Sequence, residues 1–251
     1  MIAYITGATS GFGKAIAQKM AKHGFNLIIT GRRKERLDTL AEELEKQYNV
    51  KVLVSAYDVR DANAVTDAVE ILPEEWKVID VLVNNAGLAV GLGGIQSGEL
   101  DDWNRMIDTN VKGLLYVSRA IAPLMIARKN GHIINIGSIA GKEVYAGGNV
   151  YCATKHAVDA ISKAMRIDML PHHIKVSQIC PGAAETEFSL VRYKGDKNAA
   201  DNVYKGYTPL YAEDIADVVY YLVSLPKHVC INDLVITCLE QANATNFDKH
   251  L

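Results

Sequence analysis

The chain has 251 residues, a formal net charge of −2, 49% hydrophobic residues and 22% charged residues. That is ordinary globular composition, and the length lets one α/β domain bury most of its apolar surface without staples. It excludes disorder beyond the last few residues, and no basic stripe offers a nucleic-acid footprint. Four cysteines (Cys152, Cys180, Cys230 and Cys238) form no C-x-x-C pair, and seven scattered histidines show no zinc spacing. No metal is therefore expected, and the thiols read as reduced and mostly buried. His172 and His173, after Pro171, read as loop residues. Met1 to Gly7 lacks a basic segment and carries only a short apolar stretch, which is a buried strand and not a signal peptide. No run approaches about 18 apolar residues, so no membrane-spanning helix is expected and the cytoplasm is the expected location.

In chain order, strands are expected at 2–6, 26–30, 52–56, 78–84, 132–136, 175–179 and 234–237. Helices are expected at 14–23, 34–48, 61–72, 101–128, 151–170 and 212–223, with Asp61, Asp101 and Pro209 near helix starts. Most strands are nearly continuous apolar runs, as in a parallel sheet covered on both faces. The alternation predicts one α/β domain over 1–251, a doubly wound parallel sheet with helices on both faces and right-handed crossovers. Residues 182–208, containing Gly195, Asp196 and Gly206, form the one long irregular stretch and are expected to act as a substrate lid.

After the first strand comes Thr6-Gly7-Ala8-Thr9-Ser10-Gly11-Phe12-Gly13, opening into a helix. Glycines let the backbone approach a pyrophosphate, and the helix start supplies N–H groups and positive potential. Gly7, Thr9, Ser10, Gly11, Phe12 and Gly13 are thus candidate dinucleotide contacts. A glycine loop alone is a weak signal, but the strand before it and the helix after it strengthen it. The second strand ends at Thr30-Gly31-Arg32-Arg33. Gly31 stands where an NAD site places a carboxylate for the ribose 2′-hydroxyl, and two guanidinium groups follow that match a phosphate. Arg32 and Arg33 therefore predict NADP(H) rather than NAD(H). The rival reading is a solvated cluster at a helix start. After the third strand, Asp58-Val59 can meet an adenine, although Asp58 or Asp61 can equally cap a helix. Small residues in Asn84-Asn85-Ala86-Gly87 let a ribose lie against the fourth strand end.

Tyr151 and Lys155 stand four apart on one helical face, and Ser138 lies 13 residues upstream of Tyr151, just past a strand end. A phenol with a pKa of about 10 is a poor base near neutrality, and an adjacent ammonium favours its phenolate. Tyr151 is then the candidate general acid/base, Lys155 lowers its pKa and holds the nicotinamide ribose, and Ser138 donates to the substrate oxygen. Asn110 is placed inside the long 101–128 helix and would anchor a water that connects Lys155 to solvent. Each piece alone is common; their order on one strand–helix frame is not. Cys152, beside Tyr151, reads as helix packing, with a redox-sensitive thiol as the rival.

With Thr6–Gly13, Asp58, Asn84–Gly87, Asn110, Ser138, Tyr151/Lys155 and Pro181-Gly182 in place, the chain resembles the short-chain dehydrogenase/reductase family along essentially its whole length. The resemblance implies a Rossmann fold and places Asp58 and Val59 on adenine and Asn85, Ala86 and Gly87 on ribose. It also implies that Pro181, Gly182, Ala184 and Thr186 hold the nicotinamide. Ala184 stands where the family usually has Val or Ile. Residues 145–151, 186–196, 31–37 and 72–76 are similar to a subgroup, the NADP-dependent 3-hydroxy acid dehydrogenases. That likeness implies oxidation of L-serine, L-allo-threonine or 3-hydroxyisobutyrate, the pair 3-hydroxypropionate/malonic semialdehyde, and a homotetramer built on the helices at 101–128 and 151–170. An acid substrate needs a cation, and Arg192 or Lys194 can supply it, unless both are solvent-facing or ion-paired within the chain. Tyr145, Asn149 and Phe188 are candidate pocket residues beside Arg192. The alternatives are a reductase of larger carbonyls, such as 3-oxoacyl thioesters or diketones, and a non-catalytic NADP-sensing protein. The tail at 242–251 has no assigned role, although the resemblance allows it to reach a neighbouring subunit.

Overall fold

The apolar runs Ile2–Ile5, Val81–Asn84 and His132–Ile136, which would make poor surface strands, are buried end to end in the structure, a computed structural model describing residues 1–250. The first, β1 (Ile2–Ile5), is flanked by β2 (Asn26–Gly31) and β4 (Val81–Asn84), so both its faces lie under helices. The other strands are β3 (Val52–Ala56), β5 (His132–Ile136), β6 (Lys175–Pro181) and β7 (Asp233–Ile236). All pair in parallel, in the order β3-β2-β1-β4-β5-β6-β7. This is the doubly wound sheet expected from the alternation.

Helices α1 (Gly11–Lys22), α2 (Lys34–Tyr48) and α9 (Ala212–Ser224) cover one face, through a core that includes Ile5, Ile16, Leu27, Leu37 and Val219. Helices α3 (Ala62–Glu70) and α5 (Leu114–Arg128) cover the other, over Tyr4, Ile28, Val65, Leu82 and Ile121. These side chains are almost wholly removed from water. Truncating Ile5 or Leu82 to Ala costs about 2–5 kcal/mol. The remaining helices are α4 (Leu100–Ile107), α6 (Asn149–Met169), α7 (Glu187–Arg192) and α8 (Lys197–Asn202).

Several expected boundaries move, each for a local reason. The fourth strand begins at Val81 and not at residue 78. Asp80 turns its carboxylate away from the ladder to accept from the Ile2 N–H (2.9 Å) and from Arg128 (2.7 Å). The single helix expected over 101–128 is α4 and α5 joined by a six-residue π turn, Asp108–Gly113. The stretch 182–208 is not irregular: α7 and α8 lie within it, capped by the Thr186 hydroxyl and the Asp196 carboxylate. Asp61 caps α3 by accepting from the Asn63 and Ala64 N–H groups.

The strand order fixes where a ligand sits. From β1 the chain winds outward to β2 and β3, then returns to place β4 on the other side of β1. At that reversal the loops after β1 and β4 diverge and leave a crevice at the carboxyl ends of the strands, the usual ligand position in such sheets.

Candidate active site

The crevice opens into a cavity of about 690 Å³. Its wall at the β1 end is the glycine loop. Gly7 has φ +69°, a left-handed conformation that a β-carbon would strain. Gly13 does not face the cavity: a Cβ there would come within 2.3 Å of the Gly7 carbonyl, so the first turn of α1 can pack on the loop only without a side chain. Of the loop candidates, Gly7, Thr9, Ser10, Gly11 and Phe12 line the cavity. Thr6 and Asn85 lock this loop to the end of β4. The Thr6 hydroxyl accepts from the Asn85 and Ala86 N–H groups (both 3.0 Å), and the Asn85 amide donates to the Thr6 and Gly7 carbonyls (2.8 and 3.2 Å). Asn85 therefore shapes the cradle with its side chain.

Arg32 and Arg33 line the same cavity at the end of β2. Arg33 donates to the hydroxyls of Thr9 (2.6 Å) and Ser10 (3.0 Å), which aims it across the glycine loop. Asp58 and Val59 also line it. Asp58 does not cap a helix; its carboxylate is gripped by Arg60 at 2.7–3.1 Å. Burial pushes that carboxyl up, but Arg60, through its guanidinium and its backbone N–H, holds it below the usual range. A basic phosphate corner, a glycine cradle and a carboxylate with spare lone pairs fit an adenine dinucleotide phosphorylated on its ribose.

The chemical end is built on β5, α6 and the turn between them. Ser138 caps a short helical turn, accepting from the Ala140 N–H (3.1 Å) and donating to the Pro181 carbonyl (3.5 Å). Lys142, after that turn, bonds to Asp159 on α6 and to Asp233 on β7, fixing the turn against both elements. Tyr151 and Lys155 project from α6, each less than a tenth exposed, with the Lys155 ammonium 5.9 Å from the Tyr151 ring centre. Lys155 Nζ donates to the Ile136 carbonyl (2.9 Å), which leaves two N–H donors for a diol. Burial pulls the Lys155 pKa down to about 8. Burial also raises the Tyr151 phenol well above its ordinary value, against a smaller lowering by the Ser138 hydroxyl. Burial thus disfavours the charged form of each group, yet a Lys155 pKa of about 8 still leaves the ammonium predominant near pH 7, beside a protonated Tyr151 phenol.

Asn110 falls in the π turn and is 2% exposed. Its amide donates to the Leu88 carbonyl (2.8 Å) and the Thr154 hydroxyl (3.0 Å), and its oxygen accepts from the Leu88 N–H (2.8 Å). The Asn110 side chain is thus a staple that ties the loop after β4 to α6, one residue from Lys155.

The substrate-side candidates divide. Tyr145, Phe188 and Arg192 line the cavity; Phe188 meets Tyr151 edge-on with centroids 5.7 Å apart. Arg192 lies 5.2 Å from the Tyr145 ring centre and 5.7 Å from that of Tyr151, and its buried Nε has no hydrogen-bond partner. Asn149 is not in the wall. Its amide donates to the Gly93 carbonyl (2.9 Å) and its oxygen accepts from the Val150 N–H (2.7 Å), so it ties the start of α6 to the loop at Gly93. Lys194 is also diverted, to Asp102 at 2.7 Å. Pro181, Gly182, Ala184 and Thr186 all line the cavity, and the Thr186 hydroxyl accepts from the Phe188 N–H (3.2 Å) as the α7 cap. Cys152 is 1% exposed and packs beside Tyr151, as the helix-packing reading requires.

Sequence reasoning missed the tail. Gln241, Ala244, Phe247 and Lys249 line the cavity. Gln241 accepts from the Ala183 N–H (2.8 Å), Phe247 packs on Tyr207 with centroids 4.9 Å apart, and the His250 N–H donates to the Gly206 carbonyl (2.8 Å). In the structure the tail folds over its own chain. It carries no hydrophobic period, so only the aromatic Phe247 offered a signal.

The short chain dehydrogenase family matches residues 1–196. The chain is 46% identical over 245 residues to an NADP-dependent 3-hydroxy acid dehydrogenase of Salmonella typhi, covering 97% of each chain. It is also 46% identical over 242 residues to sulfoacetaldehyde reductase 2 of Chromohalobacter salexigens, covering 96% of this chain and 95% of that one. The closed form of a serine dehydrogenase complexed with NADP+ superposes with a TM-score of 0.93 and 43% identity over the full length of both chains. Fold, cradle and the Ser138, Tyr151, Lys155 frame agree with these matches: the chain belongs to the short chain dehydrogenase family.

Proposed function

We propose that this chain is an NADP(H)-dependent oxidoreductase that interconverts a small 3-hydroxy acid and its carbonyl form. The observation that carries the substrate class is Arg192. A guanidinium with a buried, unpartnered Nε is costly to keep unless an anion completes it. It stands over the ring of the candidate acid/base Tyr151, so an anion bound there places a hydroxyl a few atoms away against Ser138. A second acid fits the same cation. The sulfoacetaldehyde reductase likeness favours a sulfonate on a short aldehyde, and Arg192 offers donors to either. Phe188 and Arg192 line the cavity on the substrate side, where a cation suits an acid better than an uncharged larger carbonyl, and a Tyr151/Lys155 pair is what a turnover-free sensor has no use for.

The chemistry assigns each residue an act. A nicotinamide dinucleotide held by the glycine loop, Arg33 and Lys155 would supply the hydride acceptor or donor for the carbinol carbon. Lys155 holds the ribose with its two remaining N–H groups and, as ammonium, favours the Tyr151 phenolate. Tyr151 takes the alcohol proton during oxidation and returns it during reduction. Ser138 donates to the oxygen as charge builds on it. Arg32 and Arg33 hold the 2′-phosphate. Exposed Leu100, Ile107, Leu115 and Ile167 lie on α4, α5 and α6, the helices that we propose bury one another in a homotetramer; sedimentation as a monomer overturns that assembly.

The test is a panel of initial rates with NADP and NAD against L-serine, L-allo-threonine, 3-hydroxyisobutyrate, isethionate and a neutral secondary alcohol. Turnover of acids with NADP and little with the neutral alcohol supports the reading. A neutral alcohol turned over as well as the acids discards it, and isethionate as the best substrate selects the sulfonate form.

A further inference from the structure

Between the phosphate corner and the substrate cation runs one short helix, and its two ends make separate commitments. Glu187, the first residue of α7, bonds to Arg36 (3.0 and 3.3 Å) and to Arg33 (3.4 Å). Arg192, the last residue of α7, is held by its carbonyl, which accepts from the Gly91 N–H (3.0 Å), while its guanidinium covers Tyr145 and Tyr151. Two residues on, Lys194 pairs with the buried Asp102 of α4. The helix is therefore a strap, latched at one end to the basic corner at the start of α2 and at the other to α4.

The latch at Glu187 uses the same Arg33 that the dinucleotide phosphate requires. Arg33 already spends Nε and Nη2 on the Thr9 and Ser10 hydroxyls and Nη1 on Glu187. Burial pushes the Glu187 carboxyl up, but Arg36 and Arg33 hold it below its ordinary range, so it is ionised at neutral pH. A 2′-phosphate arriving on Arg33 meets that negative charge. The Glu187 pairs are about half exposed, and pairs of that kind are weak, whereas a phosphate on a guanidinium is a strong, charge-assisted contact. The carboxylate has somewhere to go. Glu187 and Arg36 also border a second recess of about 430 Å³ lined by the glycine loop, α1 and α2.

We propose that Glu187 holds the place of the 2′-phosphate on Arg33, so that the arriving phosphate repels the Glu187 carboxylate, releases the leading end of α7 and resets Arg192 at its trailing end. This rests on the NADP(H) reading above. It makes Glu187 a specificity-determining residue: an unphosphorylated dinucleotide leaves the latch closed, and a phosphorylated one opens it. By linkage the reverse also holds, and an anion that draws Arg192 inward changes the affinity for the phosphate.

The experiment uses 2′,5′-ADP and 5′-ADP as probes, which carry the phosphate difference without the nicotinamide. Calorimetry on wild-type protein and Glu187→Gln gives the affinity ratio of the two probes. Amide hydrogen exchange of residues 187–193 reports the strap. The expected result is a roughly three- to tenfold tighter 2′,5′-ADP in Glu187→Gln, the size of a surface charge effect of about 1 kcal/mol. The 5′-ADP affinity stays unchanged. In wild type, 2′,5′-ADP and not 5′-ADP speeds exchange in 187–193, and in Glu187→Gln exchange is fast with either probe. Equal or weaker 2′,5′-ADP binding in the variant, or exchange that ignores the phosphate in wild type, overturns the proposal. A wild type that binds both probes alike overturns the NADP(H) reading itself, and this proposal with it.

Discussion

The two walls of the cavity are built by different physics. The wall from β5 to α6 carries Ser138, Tyr151 and Lys155, all buried, with Lys155 and Ser138 bonded to backbone carbonyls of β5 and β6 and Asn110 stapled behind them. The opposite wall, α7, α8 and the tail, is held by half-exposed ion pairs, an aromatic contact and a few backbone bonds. Buried groups anchored to strand carbonyls give a rigid frame, while weak surface pairs leave segments near the low end of local stability. On the proposed function the labour divides accordingly, with proton chemistry on the buried wall and recognition on the more exposed one.

Breaking the rigid wall should give the largest effect. Tyr151→Phe keeps the Phe188 contact and removes the proton acceptor, so kcat falls by about 10²–10⁴-fold in both directions with binding of the dinucleotide retained. Stopped-flow or steady-state rates check this, and activity within a few-fold of wild type contradicts it.

The sheet interior beneath that wall predicts a pH effect of intermediate size. His132 on β5 shares a hydrogen bond with Ser177 (2.8 Å), and burial, with a smaller push from Lys175, lowers its pKa to about 3. Its folded pKa lies below the ordinary His value of 6.5. The unfolded chain therefore takes the proton first, and stability is lost as pH falls below 6.5. The loss is about 1.4 kcal/mol per pH unit, or about 2–3 kcal/mol between about pH 6.5 and about pH 4.5. Urea midpoints across that range should show the slope in wild type and a shallower one in His132→Gln, whatever the variant's stability near neutrality. Equal slopes refute the assignment.

A small effect sharpens the mobile wall. Lys194→Gln should change KM for a hydroxy acid by less than about threefold, because Lys194 serves Asp102 and not the cavity. A tenfold rise would put Lys194 back among the substrate cations.

The same division governs what the sequence made legible. Parallel strands buried on both faces, such as Ile2–Ile5 and His132–Ile136, announce themselves as apolar runs. The glycine loop and the Tyr151/Lys155 spacing are local patterns imposed by backbone approach and helix period. The π turn at Asp108–Gly113 was hidden because the backbone on either side stays α-helical and its wider i→i+5 bonding follows no residue-type signature. Asn149 looked like a pocket residue from its neighbours, yet its amide turns to Gly93, a contact across 56 positions that no local pattern encodes. The tail escaped for the same reason: Gln241 and Phe247 gain their places from Ala183 and Tyr207, far earlier in the chain.

On the proposed function, Arg192 on the more exposed wall selects an anionic substrate while the buried wall performs the reaction. The most direct measurement compares kcat/KM for 3-hydroxyisobutyrate with that for 2-methyl-1,3-propanediol, its uncharged counterpart, in wild type and in Arg192→Leu. The account predicts a preference for the acid of at least about tenfold in wild type, as one charged hydrogen-bonding partner supplies. In the variant the preference collapses toward one through the acid's KM, with the diol rate unchanged. A preference that survives the substitution contradicts the account and moves anion recognition to another residue.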